Sequence, residues 1–373
     1  MKIWLLALLL AAGGAAHAQW EMETSGTTAD LRGIDNVGGG VAWASGTNGT
    51  VLRTEDGGYL WQACAVPPGA EHLDFRGVQA FDANTAIVMS SGKGDLSRLY
   101  KTTDGCHTWK LILKNPDKDG FWDALHFEEN QWGWLLGDPV KESFVLYATS
   151  DGGRTWTRQH NKGLHADPAA QAVFAASNSS LIGSYRSVSF GSGGTRGAFV
   201  YSIIQTEICV DACEESDLDL EGRKNKWALE MTPLGDHTDT AGIFSVAAQR
   251  EIGPNWWKPT LVAVGGDYAK PDDANATAAW FDKDQNRWIA AQTPPHGYRS
   301  AVAYDAGTKT WITVGPNGTD ISTDDGRNWR ALPPDPALNE APDADRNWNA
   351  LSLPFVVGPH GRIGKLNPKA LAH

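Results

Sequence analysis

Short apolar runs recur along the chain, each closed by a glycine-bearing turn. One series begins near LRGI (Leu31), FRGV (Phe75), WDALHF (Trp122), AVFAAS (Ala172), GIFSVAA (Gly242), RSAVAYD (Arg299) and NALSLP (Asn349). A second series follows in step: VAWASG, TAIVMSSG, WGWLLGD, TLVAVGGD, TWITVG and PFVVG. Small and large apolar residues alternate in these runs, as in strands buried between neighbouring sheets. After the second run comes a polar string that repeats: TEDGGYLW, TTDGCHTW, TSDGGRTW and STDDGRNW. In each, a tryptophan stands five residues after an aspartate, pairing Asp56 with Trp61, Asp104 with Trp109, Asp151 with Trp156 and Asp324 with Trp329. Two degenerate copies fit the long gap before the last string: RKNKW ending at Trp227 and DKDQNRW ending at Trp288.

The local chemistry of the string is that of a turn. A short aspartate accepts hydrogen bonds from backbone N–H groups of its own turn. Gly58, Gly153 and Gly326 permit positive φ, with Cys106 in the equivalent place of the second string. The tryptophan opens the next strand and buries a large apolar face. The string resembles the Asp-box, or BNR, repeat, which implies the turn between the last two strands of a propeller blade. Seven first runs predict an all-β, seven-bladed β-propeller; six blades is the alternative count, because the fourth and fifth units are irregular. The last unit ends without a box, and QWEME at the other end of the mature chain resembles the strands that follow the boxes. Residues 20–24 are therefore expected to pair with the C-terminal blade near Arg362–Leu366 and close the ring, which removes a sheet edge.

Composition supports a folded, exported chain. Apolar residues make up 41%, enough for a core, and 41 glycines with 17 tryptophans suit short strands and tight turns. MKIWLLALLLAAGGAAHA reads as a secretory signal over residues 1–18, cut before Gln19, leaving residues 19–373 as one domain, periplasmic or secreted. The alternative, a membrane anchor, meets an apolar run too short to span. The mature chain carries 31 basic and 44 acidic residues, a net charge of −13, which disfavours nucleic acid and anionic membrane as partners. Four cysteines in an exported chain allow three pairings. Cys64–Cys106, from neighbouring blades, and Cys209–Cys213, at the base of an acidic insert in the fourth blade, are the expected pairs.

The order of segments SGTTADLRGI, AWASGTNGTVLRTEDGG, LDFRGVQAFD, RLYKTTDG, GWLLGDPV and VFAASNSSL resembles bacterial relatives of the photosystem II stability/assembly factor family. That resemblance implies a non-enzymatic assembly factor with protein partners.

Ligands of a propeller are expected at the mouth of its channel, which the first strands line. Aligned there, Arg32, Arg76, Asp123, Ala241, Arg299 and Asn349 fall at similar positions, with Asp138 of GDPV in a strand-end turn beside them. Three converging arginines predict an anion or carboxylate patch for a peptide end or an acidic sugar; the structural alternative pairs each arginine with a neighbouring blade's aspartate, such as Asp74, Asp123 or Asp138. The order of Asp282, Asp284 and Asn286 begins like a calcium loop, but Arg287 and Thr293 stand where glycine and glutamate are needed, so a degenerate turn is expected. No zinc spacing, dinucleotide loop or GxSxG nucleophile elbow occurs, so neither metal nor cofactor is expected and no catalytic residue is assigned. The leading reading is a non-catalytic exported binding protein, an assembly or stability factor for a cell-envelope complex. The alternative is a glycoside hydrolase, sialidase-like or glucanase-like, using Asp123 with Asp138, or Tyr298 beside the arginines.

Overall fold

The computed structural model describes residues 19–159, 163–184, 187–208, 223–249 and 260–371. The expected signal segment and the Cys209–Cys213 pair lie outside them. Seven four-stranded antiparallel sheets account for nearly all regular structure, and six of them use strands consecutive in sequence. Blade 1 is built from Leu31–Gly38, Val41–Gly46, Val51–Thr54 and Gln62–Ala63. First strands of the following blades are Phe75–Ala80, Trp122–Glu128, Leu181–Ser184, Ala241–Gln249, Ala301–Asp305 and Ala350–Ser352. Each first strand touches those of both neighbours, and the circuit closes from blade 7 to blade 1. No helix among the described residues is long and apolar enough to cross a membrane.

A two-residue period divides each strand's apolar residues between two interfaces. In Val41–Gly46, Ala42 and Ala44 pack with Phe355 and Ile363 of blade 7, while Trp43 packs with Phe75 and Val88 of blade 2. Ile87 and Met89 face blade 3, and Ala86 and Val88 face blade 1. The described core therefore resolves into seven clusters, one at every blade interface. This is why the runs read as continuously apolar rather than half-polar.

The seventh sheet is completed from the start of the described chain. Trp20–Glu23 pairs antiparallel with Ile363–Leu366 in the register Trp20↔Leu366 to Glu23↔Ile363. Trp20 is buried, with its ring 5.9 Å from that of Trp348. The Glu340 carboxylate accepts from the backbone N–H groups of Gln19 and Trp20, fixing the strand's start. One covalent link joins blades 1 and 2, the Cys64–Cys106 disulfide, with Cα atoms 5.3 Å apart.

All four polar strings fold into one turn, between the third and fourth strands of blades 1, 2, 3 and 6. In the first, Thr54 Oγ1 donates to Asp56 Oδ1 at 2.8 Å and accepts from Gly58 N at 3.0 Å, and Leu60 N donates to Asp56 at 2.9 Å. Asp104, Asp151 and Asp324 accept from Thr108, Thr155 and Asn328 in the same way. Gly58, Gly153 and Gly326 have φ of 97°, 80° and 79°, and Cys106 takes the same left-handed place at 67°. Hydrogen bonds from Thr108 hold Asp104 at about 2; at Asp151 the turn's donors outweigh burial and hold it at about 2 as well.

Blade 4 departs from expectation twice. AVFAAS is not its first strand, which begins at Leu181; residues 172–180 instead cross the channel. Asn178 Oδ1 accepts from Leu125 N of blade 3 at 2.7 Å, and its Nδ2 donates to Val78 O of blade 2 at 3.4 Å. One residue to either side, Ser177 donates to Ser300 O of blade 6 at 2.7 Å, and Ser179 bonds Ser245 of blade 5 at 2.7 Å. Three consecutive residues thus reach blades on opposite sides of the ring, and the channel is plugged. RKNKW, expected as a degenerate box, lies within the single strand Arg223–Met231. DKDQNRW does form a turn, with Asp282 accepting from the N–H groups of Asp284 and Gln285.

Candidate functional site

Above the plug, where the first strands begin, a cavity of about 590 Å³ opens, walled by the plug and by six of the seven blades. Its two sides differ. Blades 1 to 3 bring Arg32, Arg76, Asp123 and Asp138; the plug brings Phe174, and blades 5 and 6 bring Phe244, Tyr268 and Tyr298. Asn349 of blade 7 closes the circle, its amide tied to Leu31 O at 2.8 Å.

The arginines differ in how they are satisfied. Arg76 is held by Asp74 at 2.8 Å and donates to Ala175 O of the plug at 3.2 Å. Arg32 has no carboxylate and no hydrogen-bond acceptor among the described residues, although its Nε is shut off from solvent. An unpaired buried N–H costs free energy that a ligand's acceptor would return.

Arg299 is a correction: it does not reach the cavity. It is fully buried behind the wall, paired with Asp320 through two nitrogens and donating to Tyr298 O at 2.8 Å. Asp320 also bonds His296 at 2.8 Å. Burial alone would raise Asp320, but the bonds from His296 and Arg299 outweigh it and hold the carboxylate below its usual range. The reason for the misplacement is parity. The N–H groups of Leu31, Arg299 and Trp348 all donate across to the preceding blade, at Gly358, Gly265 and Gly315. Arg299 is therefore the equivalent of buried Leu31, and Ser300 that of Arg32; a slip of one residue turns a side chain to the opposite face.

Asp138 is a second correction. GDPV is not an exposed strand-end turn but the last part of Trp132–Val140, distorted by a bulge that accommodates Pro139. Asp138 points inward and accepts from Val173 N of the plug at 2.9 Å. Burial raises it to about 6, the Val173 bond working the other way. Asp123, more deeply buried, is pushed well above the carboxylate range by burial and by Asp138, Arg76 only partly offsetting them; its Oδ2 has no partner. Its protonated form, which burial favours, can donate a hydrogen bond.

Of the aromatic side only Tyr298 was named from sequence, for the hydrolase alternative; Phe174, Phe244 and Tyr268 were not. Phe174 stacks on Phe244 with centroids 4.1 Å apart and planes 16° apart. Tyr298 meets Phe244 edge-on at 4.7 Å, and Tyr268 stands across from Phe174 at 6.4 Å and 77°. Phe174 lies over Gly193 and Gly242, where a Cβ would come within 2.6 and 2.9 Å of its Cε2. The fold thus seats this ring before any ligand arrives. Burial raises the Tyr298 hydroxyl, with nearby Arg32 opposing, so it stays protonated. No group of three or more metal-binding side chains is found among the described residues.

No protein-family model and no curated protein matches the chain. Solved structures do. "YCF48 bound to D1 peptide" superposes with a TM-score of 0.58 at 17% identity, over 93% of this chain and 96% of the other. YCF48 from Cyanidioschyzon merolae superposes with a TM-score of 0.59 at 17% identity, over 94% and 100%. An ancestral GH74 enzyme gives a TM-score of 0.43 at 16% identity, over 81% of this chain and 43% of that one. The chain is a seven-bladed propeller that shares its fold, along nearly its whole length, with the photosystem II assembly factor YCF48.

Proposed function

We propose that this is a non-catalytic exported binding protein that takes an anionic group of a protein or peptide partner into the mouth cavity. The observation that carries the reading is Arg32, a guanidinium without a carboxylate, facing a preformed cavity walled by the plug and six blades. Arg76, spent on Asp74 and the plug, frames that site, and Asp123, whose neutral form burial favours, stands beside it. The plug makes the cavity a blind pocket, suited to the end or tip of a partner rather than to a threaded chain. YCF48, which shares the fold, has been solved with a D1 peptide, and that supports a peptide partner here. The role follows as assistance to assembly or stability of a cell-envelope complex.

The test is a titration of the full chain with matched peptides ending in a free carboxylate or an amide. A charge-assisted hydrogen bond stabilises by about 1.5–3 kcal/mol, so the free acids should bind at least about tenfold tighter. Arg32→Gln should abolish that preference. Equal binding of acid and amide by the wild-type chain would overturn the reading. A glycoside hydrolase reading rests on the Asp123–Asp138 carboxyl pair; turnover of sialosides or glucans by the purified chain would replace the binding reading with it.

A further inference from the structure

We infer that the group bound here carries an aromatic ring beside its carboxylate, the ring packing on the aromatic side of the cavity against Phe174 and Tyr268. This rests on the anion site just proposed and adds a specificity that a carboxylate site alone does not have. The aromatic wall is not buried core that happens to touch a cavity. Phe244 and Tyr298 are buried, but Phe174 is only partly buried and Tyr268 is 51% exposed, and both line the pocket. Exposed aromatic rings converging in a concave site need a reason, since apolar surface left in water is unfavourable.

Three features point to a planar aromatic guest. Phe174 and Tyr268 meet edge to face, 6.4 Å apart at 77°, and both line the cavity, so they present one joined aromatic surface on which a guest ring can pack. Phe174 is fixed by its stack on Phe244 and by the glycines beneath it, so little freedom is lost on binding. The charged side of the same cavity presents Arg32 without a partner, close enough to Tyr298 to act on its hydroxyl. A guest held by both sides carries its ring and its negative group on one small unit. Four aromatic rings can also cage an organic cation. Here a cation would sit against Arg32, which disfavours it.

The source of such chemistry is either a free aryl acid or an aromatic residue at a chain end, and small probes separate the two. N-acetyl-phenylalanine, N-acetyl-alanine, N-acetyl-phenylalanine amide, phenylacetate and choline are titrated into the full chain by ligand-observed NMR. N-acetyl-phenylalanine should bind about tenfold or more tighter than N-acetyl-alanine. Tyr268→Ala, at an exposed position, should bring that ratio towards one without weakening N-acetyl-alanine, and Phe174→Leu should do the same. Phenylacetate binding as tightly as N-acetyl-phenylalanine assigns the site to free aryl acids; weaker phenylacetate assigns it to a peptide end. If the acid still beats its amide while phenylalanine and alanine probes bind equally, the aromatic inference fails and the anion site stands. If acid and amide bind alike, the anion site itself fails. Choline binding tighter than every acid would overturn both.

Discussion

Replacing Trp20 by alanine tests how the ring is closed. Trp20 is 2% exposed, packs on Trp348 at 5.9 Å and opens the strand that pairs with Ile363–Leu366. Truncating a buried tryptophan to alanine costs about 3–5 kcal/mol. Its indole N–H has no hydrogen-bond partner, so removing it relieves a desolvation cost of about 1 kcal/mol. The expected net loss is therefore about 2–4 kcal/mol, a large share of the roughly 5–15 kcal/mol typical of a folded domain. Urea unfolding followed by circular dichroism measures it, with Tyr59→Ala, at a 93% exposed position, as the control expected within about 0.5 kcal/mol of wild type. Hydrogen exchange in Trp20→Ala should rise at Ile363–Leu366 and Phe355–Val357 together, because both depend on the closing strand. A loss under about 1 kcal/mol, with exchange unchanged in blade 7, would show that the strand decorates a ring already closed without it.

Four other outcomes follow from the same structure. Arg299→Met should destabilise by about 3–5 kcal/mol, since Asp320 would stay buried without its cation; adding Asp320→Leu should recover part of the loss, and an additive double variant in denaturation would refute the pairing. The double variant Cys64→Ala with Cys106→Gly opens a loop closed over a sequence separation of 42 residues, for which chain entropy gives about 4 kcal/mol; glycine accepts the left-handed turn at the second position, so a loss under about 1 kcal/mol would mean that the cross-link adds little restraint to the unfolded chain. Asp35 and Asp138, raised by burial to about 7 and about 6, bind protons in the folded state that an unfolded carboxylate releases near pH 4, so they favour folding at low pH and that contribution is lost as pH rises to about 7. Asp104 and Asp151, held at about 2, act oppositely and lose their contribution as pH falls below about 4. Urea midpoints should therefore peak near about pH 4–5, and a steady rise to about pH 8 would contradict it; anion binding should tighten from about pH 7 to about pH 5 as Asp138 loses its charge.

What the sequence disclosed was whatever repeats with a period. Alternating runs showed the blades because each strand must divide its apolar residues between two neighbours. The likeness of QWEME to the strands after each box pointed to closure, since a blade lacking its fourth strand needs one from elsewhere. Cys64 and Cys106 could be paired because the box places them on adjacent blades. What breaks the repeat was not legible. AVFAASNSS alternates like a strand, but Ser177, Asn178 and Ser179 are polar where the partners are groups of blades 2, 3, 5 and 6, which only the closed ring brings near. Arg299 resembled Arg32 in sequence because both stand at a strand start, and only the cross-blade register shows them one residue out of phase. The aromatic wall draws Phe174, Phe244, Tyr268 and Tyr298 from different runs, and each alone reads as core.

The most direct test is hydrogen exchange of the full chain with and without the tightest carboxylate peptide from the matched set. Slowed exchange should concentrate at Leu31–Gly33, Phe75–Gly77 and the plug segment 172–176, the backbone around the cavity. Slowing confined to outer strands such as Arg223–Met231, with those three segments unchanged, would contradict a ligand site at the mouth.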